Sequence, residues 1–267
     1  MKTFNFFPAQ PEINYKMGNY VEKKPLEKSI THKSVALFYQ FKTRKGELNS
    51  FSLIPDGSID LLFCCSEKKP SIFLWTSPNQ RSESIDLQDD CEYFGVRFYP
   101  EQRFIELKYS MRELLGKTVS LSDVMSIDHS VLEQIFAGKS FEERMHLFEE
   151  FSKRYYPNMN HQDLIDYSVK KIYSCKGNIN VKQLSIETGY SDRYLRKKFE
   201  ETIGFTPKRF SEIVRFQNSL ATMIFTKNNY NPLDVAYDNG YHDQAHFIKG
   251  FKKFADLTPT QFMYNLQ

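Results

Sequence analysis

The sequence writes GYSDRYLRKKFEETIGFTP at 189–207 and GYHDQAHFIKGFKKFADLTP at 240–259, and this pair decides the fold of the second half of the chain. Ser191 and Asp243 are both good helix caps, because a short side-chain oxygen can accept from the first free backbone N–H groups. Counted from either cap, an apolar residue follows at +4 (Leu195, Phe247) and another at +8 (Phe199, Phe251). Thr-Pro follows at +15 and +16 in both, as Thr206-Pro207 and Thr258-Pro259, so the register holds across 52 residues. Apolar residues four apart form the inward stripe of a helix. Upstream of each cap stands another helical stretch, VKQLSIET before Gly189 and PLDVAYDN before Gly240. Glycine takes the left-handed backbone that ends a helix without steric cost. Each copy therefore reads as helix, glycine turn, helix, with one extra residue in the second turn.

In a helix-turn-helix unit the second helix enters the DNA major groove. The side chains free to do so lie off the apolar stripe: Asp192, Arg193, Arg196, Lys197 and Glu200 in the first copy, and Gln244, Ala245, Ile248, Lys249 and Lys252 in the second. Surface charge is ordinarily just solvated; the repeat and the turn are what single these residues out. Arg193, Arg196, Lys197, Gln244, Ala245, Ile248 and Lys249 are the base-contact candidates. Arg and Lys reach guanine O6 and N7, Gln pairs with adenine, and small apolar groups meet the thymine methyl. His242, Lys252, Lys208 and Thr206 sit at turns and helix starts and are the phosphate-contact candidates. His246 and Tyr194, next to the stripe, read as packing or capping residues.

Between the copies, PKRFSEIVRFQNSLATMIF places Phe210, Ile213, Val214, Gln217, Leu220, Ala221 and Ile224 on the pattern of one long amphipathic helix. Eighteen residues of helix span roughly 27 Å. Such a strut would set two reading helices about one DNA turn, roughly 34 Å, apart on one face. Charge agrees: residues 161–267 carry 15 Lys and Arg against 11 Asp and Glu, a net of +4, which leaves −1 for residues 1–160.

Residues 165–264 resemble the AraC/XylS-type DNA-binding domain. The features that carry the resemblance are GYSDRYLRKKF…GFTP, the connecting helix, and VAYDNGYHDQAHFIKGFKKFADLTPTQF with its G-Y-x-D-x-x-H-F-x-x-x-F-K order. Ser185 stands where the first copy usually has alanine, a small-for-small change. The resemblance implies a bacterial transcription regulator with seven helices in this domain. More loosely, IPDGSIDLLF and GVRFYP resemble pieces of sensor domains attached to such regulators, which implies a β-barrel sensing domain without assigning ligand residues.

The first hundred residues read as β-rich. SVALFYQFK, the two runs of FSLIPDGSIDLLFCC around Pro55-Asp56-Gly57, SIFLWTSP and EYFGVRFYP are strand candidates. After Pro100 the pattern turns helical in PEQRFIELKY, SVLEQIFAG and SFEERMHLFEEFSKRYY. The last has a stripe of Phe141, Met145, Phe148 and Phe151, and a capping-box spacing from Ser140 to Glu143. YPNMNH at 156–161 reads as a linker. The expected fold is α+β. An antiparallel β-barrel-like domain, 1–157 with helices from about 100, precedes an all-α domain, 161–267, of two helix-turn-helix units joined by a long helix.

Cys64 and Cys65 are adjacent, Cys91 and Cys175 isolated, and no CxxC or Cys/His ligand spacing occurs. They read as packing thiols; a metal site from His32, Cys64, Cys65 and Cys91 has no spacing to support it. Trp75, Tyr93 and Arg97 could line an effector pocket, but aromatics more often fill small barrels. With 40% hydrophobic residues the chain is globular, and no run of about 18 apolar residues or secretion signal occurs. The expectation is a cytoplasmic, non-enzymatic regulator without metal or cofactor. Its partner is double-stranded DNA, with RNA polymerase, an effector at the N-terminal domain and a second copy of the chain as further candidates. The competing reading is a thiol-based DNA-repair or other enzyme carrying DNA-binding helices. LLFCC argues against it, since an activated thiolate wants cationic neighbours.

Overall fold

The computed structural model describes residues 6–46, 49–66, 69–83, 85–102, 106–125, 129–155, 164–226 and 230–266. The linker expected at 156–161 lies outside them. Among the described residues there are eight strands, β1 Gly18–Lys23, β2 Val35–Lys42, β3 Ser50–Phe51, β4 Ile59–Cys64, β5 Ser71–Thr76, β6 Ile85–Asp86, β7 Glu92–Phe98 and β8 Thr118–Ser120. Six of them form an antiparallel sheet in the order β1-β2-β7-β4-β5-β8, and β3 pairs with β6 apart from it. β1 and β8 remain edges, so among the described residues the sheet is open and barrel-like only in the loose sense of an antiparallel sheet covered on both faces.

Every residue of β4, IDLLFC, is buried. A half-buried strand would alternate, whereas a strand covered on both faces is apolar throughout. Both faces are covered here. Phe38, Leu61, Phe63, Phe94 and Phe98 pack against helices that follow the sheet, α4 His129–Ala137 and α5 Phe141–Tyr155, through Ile135, Phe148 and Phe151. Leu37, Tyr39, Phe41, Leu62 and Tyr93 face the other way, under Phe51 of β3 and under Ile13 of α1 Pro11–Lys16. The α5 stripe is buried as expected, and its cap forms: Glu143 N–H donates to Ser140 Oγ at 3.1 Å.

Three readings are corrected or extended. PEQRFIELKY is not helical where described: residues 106–110 are irregular, because Lys108 N–H donates to Val124 O instead of to its own chain four residues back. β1 and β8 escaped the sequence because one is a mostly polar edge and the other has three residues. Two short helices, α2 Met111–Leu114 and α3 Leu121–Val124, flank β8.

From Leu164 on, every element among the described residues is helical, and these are α6 Leu164–Ser174, α7 Val181–Thr188, α8 Asp192–Thr202, α9 Pro207–Phe225, α10 Pro232–Asp238, α11 Gln244–Ala255 and α12 Pro259–Tyr264. α9 runs through their common core. It is buried on more sides than one stripe provides. Phe216 and Met223 are fully covered, while Ala221 is exposed. Phe216 is claimed by α11, its ring 5.0 Å from Phe251 and 5.2 Å from Phe254.

The N-terminal region closes over another side of α9. Gln217 accepts from Ala9 N–H at 3.0 Å and donates to Pro55 O at 2.8 Å and Ala9 O at 3.3 Å. Phe6 stacks on Tyr173 of α6 with centroids 4.5 Å apart. Gly57 has φ +75°, and a Cβ there would lie 2.7 Å from the Phe210 ring, so this turn needs glycine for both backbone and space.

Candidate nucleic-acid interface

Both helix-turn-helix units form as the caps and glycines dictate. In the first, Asn180 caps α7 by accepting from Lys182 N–H, and Gly189 ends it at φ 73°. Ser191 Oγ accepts from Tyr194 N–H at 3.3 Å to start α8. In the second, Asn231 caps α10, and Gly240 at φ 73° follows it. Asp243 Oδ1 accepts from His246 N–H at 2.7 Å, and His246 Nδ1 accepts in turn from His242 N–H at 3.2 Å. The arrangement is a variant of the capping box, in which the ring of the third helical residue accepts from the N–H one residue before the cap and not from the cap itself. It gives His246 a capping role, with its ring edge-on to Tyr241. The His246 N–H and the neighbouring His242 together hold the Asp243 carboxyl below its ordinary range.

Leu195, Phe199, Phe247 and Phe251 are fully buried, which fixes the opposite faces of α8 and α11 outward. Truncation to alanine would cost about 2–5 kcal/mol at Leu195 and about 3–5 kcal/mol at any of the three phenylalanines. On the outer face of α8, Asp192, Arg193, Arg196 and Lys197 are exposed. Arg193 and Arg196 make no ion pair among the described residues, whereas Lys197 faces Glu201 at 3.8 Å. Glu200 is half-buried and pairs with Arg112 of α2 at 3.4 Å, so it is turned toward the N-terminal region. Tyr194 stacks on Tyr190 at 5.1 Å, a packing role at the exposed mouth of the turn.

On α11, Gln244, Ala245, Lys249 and Lys252 are exposed. Ile248 is half-buried and leans on the C-terminal core, so part of it is committed to packing. Beside this helix lies an open groove of about 580 Å³, lined by Lys249, Lys252, Lys253, Arg215, Tyr241 and His246 among others. Lys253 is tied to Glu212 at 2.6 Å and Arg215 is held by the Gly177 carbonyl at 3.1 Å, while neither Lys249 nor Lys252 has an ion pair among the described residues. His242 is exposed beside Asp243. Lys208 is exposed in the first turn of α9, where Thr206 Oγ accepts from Arg209 N–H as the cap.

The N-terminal region touches all three parts of this reader. α2 packs on α8 through Arg112, Arg81 N–H donates to Phe254 O of α11 at 2.8 Å, and Arg209 of α9 donates to Asn79 O. None of these partners was legible in the sequence, because each pairs residues far apart that share no motif.

Trp75, Tyr93 and Arg97 are buried packing residues. Arg97 donates to Asp60 from Nε at 3.0 Å and from NH2 at 2.8 Å, and to Pro8 O at 3.2 Å, while Tyr39 OH donates to Asp60 at 2.7 Å. The adjoining cavity is about 10 Å³, room for one water.

Residues 184–265 match the family described as a helix-turn-helix domain, and residues 25–120 match one described as a domain of unknown function. An uncharacterized HTH-type transcriptional regulator of Staphylococcus aureus strain MSSA476 is 30% identical over 84 residues, 32% of this chain and 11% of the relative. One from Haemophilus influenzae is 36% identical over 64 residues, 24% of this chain and 21% of the relative. The matched part thus spans about a tenth to a fifth of these relatives' length. Among solved structures, apo ToxT of Vibrio cholerae aligns over 94% of this chain and 100% of its own, at 16% identity and TM-score 0.44. The xylose-binding transcription activator XylR aligns over 47% of this chain and 38% of its own, at 17% identity and TM-score 0.33. Residues 184–265, which hold both recognition helices and the helix that connects them, are therefore a helix-turn-helix domain of the AraC type.

Proposed function

We propose that this protein is a sequence-specific DNA-binding transcription regulator that reads two successive major grooves with α8 and α11 and is controlled through its N-terminal region. One observation carries the reading. Two units of the same build turn exposed, mostly basic or amide side chains outward from one buried connecting helix. Arg193, Arg196, Lys197, Gln244, Ala245, Lys249 and the exposed part of Ile248 are the base contacts, and His242, Lys252, Lys208 and Thr206 the phosphate contacts. Control follows from the seam, since the N-terminal region holds α8, α9 and α11 at once. An effector there, RNA polymerase beside the bound duplex, and a second copy of the chain are the partners this role calls for. The cytoplasm is its place of work; no described helix is long and apolar enough to cross a membrane.

Selection from a random duplex pool, followed by footprinting, tests the proposal. The expected result is one enriched sequence with two protected patches about 10 base pairs apart. Enrichment of no sequence, with binding that depends only on salt, would reduce the protein to a nonspecific DNA binder.

A further inference from the structure

Cys64 and Cys91 stand 27 positions apart and share no motif, yet their sulfurs lie 2.8 Å from each other. Cys64 ends β4, and Cys91 immediately precedes β7, its antiparallel neighbour. Cys91 is pinned from both sides of its peptide: its N–H donates to Thr43 Oγ1 at 2.9 Å, and Thr43 N–H donates back to Cys91 O at 3.0 Å. No disulfide joins any of the four cysteines in this structure. A disulfide needs its sulfurs about 2.04 Å apart, so less than an ångström of side-chain rotation separates this pair from a bond.

We propose that Cys64 and Cys91 form a dithiol–disulfide redox site, oxidised by a small uncharged hydroperoxide. Cys64 is the attacking sulfur. The hydrogen bond from Cys91 brings its thiol down to about 6 against the opposing effect of burial, and the same bond pushes Cys91 up. The Cys64 thiolate attacks one oxygen of the hydroperoxide, the O–O bond breaks, and that oxygen stays on sulfur as a sulfenic acid; the other oxygen leaves as alkoxide or hydroxide and takes a proton from solvent, becoming water when the oxidant is hydrogen peroxide. Cys91 sulfur then attacks the sulfenic sulfur, the S–S bond forms, and the sulfenic oxygen leaves as a second water with the Cys91 proton. Two thiols lose two electrons and two protons, and the peroxide is reduced to two waters.

Access and selectivity also come from the fold. Both sulfurs are buried, which favours a small oxidant over a bulky one. Ser66, Asp89, Asp90 and Glu92, within two residues of one or other cysteine along the chain, line an open groove of about 660 Å³ at this end of the sheet. Cys65 is the obvious competitor, but neighbouring strand residues point to opposite faces. Its side chain packs with the α4–α5 layer, and burial pushes its thiol up to about 11.

The test uses the full chain, reduced, treated with hydrogen peroxide, then alkylated under denaturing conditions and mapped by mass spectrometry. The expected result is a Cys64–Cys91 cross-link about 2 Da lighter than the two free peptides, with Cys65 and Cys175 alkylated and the link reversed by dithiothreitol. The oxidised protein should also melt several degrees higher, because the bond closes the segment between the two cysteines. Cys65→Ser should leave the link intact, and Cys91→Ser should carry Cys64 on to sulfinic acid, about 32 Da heavier. If Cys91→Ser does not fold, the wild-type map decides alone. Full alkylation of both cysteines, a Cys64–Cys65 link, or overoxidised Cys64 without a link in the wild type would overturn the proposal.

Discussion

Arg196 lies at +5 from its cap, one residue past the Leu195 anchor, exposed and without an ion pair among the described residues. A guanidinium so placed keeps its fork for a bidentate contact with guanine, so Arg196→Ala should cost about 1–3 kcal/mol at the selected site and relax the choice of one or two base pairs. Binding titrations against single-base variants check this, and an equal loss on every sequence would move Arg196 to the phosphate backbone. Lys252 should behave in the opposite way: Lys252→Ala should weaken all sequences alike and flatten the slope of log affinity against log salt by about 1. A different kind of residue governs the seam. Glu101 is half-buried and accepts from Tyr173 OH at 2.8 Å, and burial raises its carboxyl from the ordinary 4.5 to about 7. The folded protein therefore holds a proton that the unfolded chain has already released. Stability should fall as pH rises from about 4.5 to about 7 and change no further above that. Denaturant midpoints at pH 5 and pH 8 should show the wild type losing about 2–3 kcal/mol relative to Glu101→Gln; an offset that stays constant with pH would mean the carboxyl is not held protonated.

At the scale of elements, α9 joins the two copies and is also the floor on which the N-terminal region rests. Its amphipathic stripe was legible, because Phe210, Ile213, Val214 and Leu220 fall at helical spacing and all four are fully buried. Its second buried side was not. Gln217 fits a core stripe only because the carbonyls of Ala9 and Pro55 and the N–H of Ala9 meet it from more than 160 residues away, and periodicity carries no signal for such partners. Gln217→Ala should leave those backbone groups unpaired and cost about 1–3 kcal/mol by denaturant titration. Hydrogen exchange at Ala9 N–H should speed up well before exchange in the α8 and α11 cores; if it does not, the strap is held by Phe6 and Tyr173 alone. The recognition helices were legible almost to the residue, because caps, glycine turns and the +4/+8 anchors are local signals that tertiary packing then kept. Elements shaped by the sheet fared worse. The edge strand β1 and three-residue β8 owe their pairing to neighbours, and 106–110 gave up its helical pattern for a hydrogen bond to Val124.

On the scale of the whole molecule, the expected division at about 157–161 has to be weighed against a core that includes Phe6 and Ile54 together with the C-terminal helices. We propose that residues 161–267 still fold alone as a helical unit, since both readers and α9 lie inside it, while the fragment exposes the Tyr173–Phe210 face that the N-terminal region covers. Circular dichroism of that fragment should show helix without strand, and it should bind the selected duplex. The two-groove reading meets its strictest trial in the DNA. α9 has 19 residues, about 28 Å of helix, close to the roughly 34 Å between successive major grooves on one face. Inserting five base pairs between the two protected patches moves the second groove about half a turn around the duplex, so one head must let go and affinity should drop to that of a single half-site. Leu220→Pro should produce a similar loss on unaltered DNA, because it removes a helical hydrogen bond and kinks α9 at a cost of about 3 kcal/mol or more. That variant needs a melting curve beside it to separate a kinked strut from a lost fold. The insertion leaves the protein untouched: unchanged affinity and an unchanged footprint would mean that one copy binds DNA and the other serves packing or a partner.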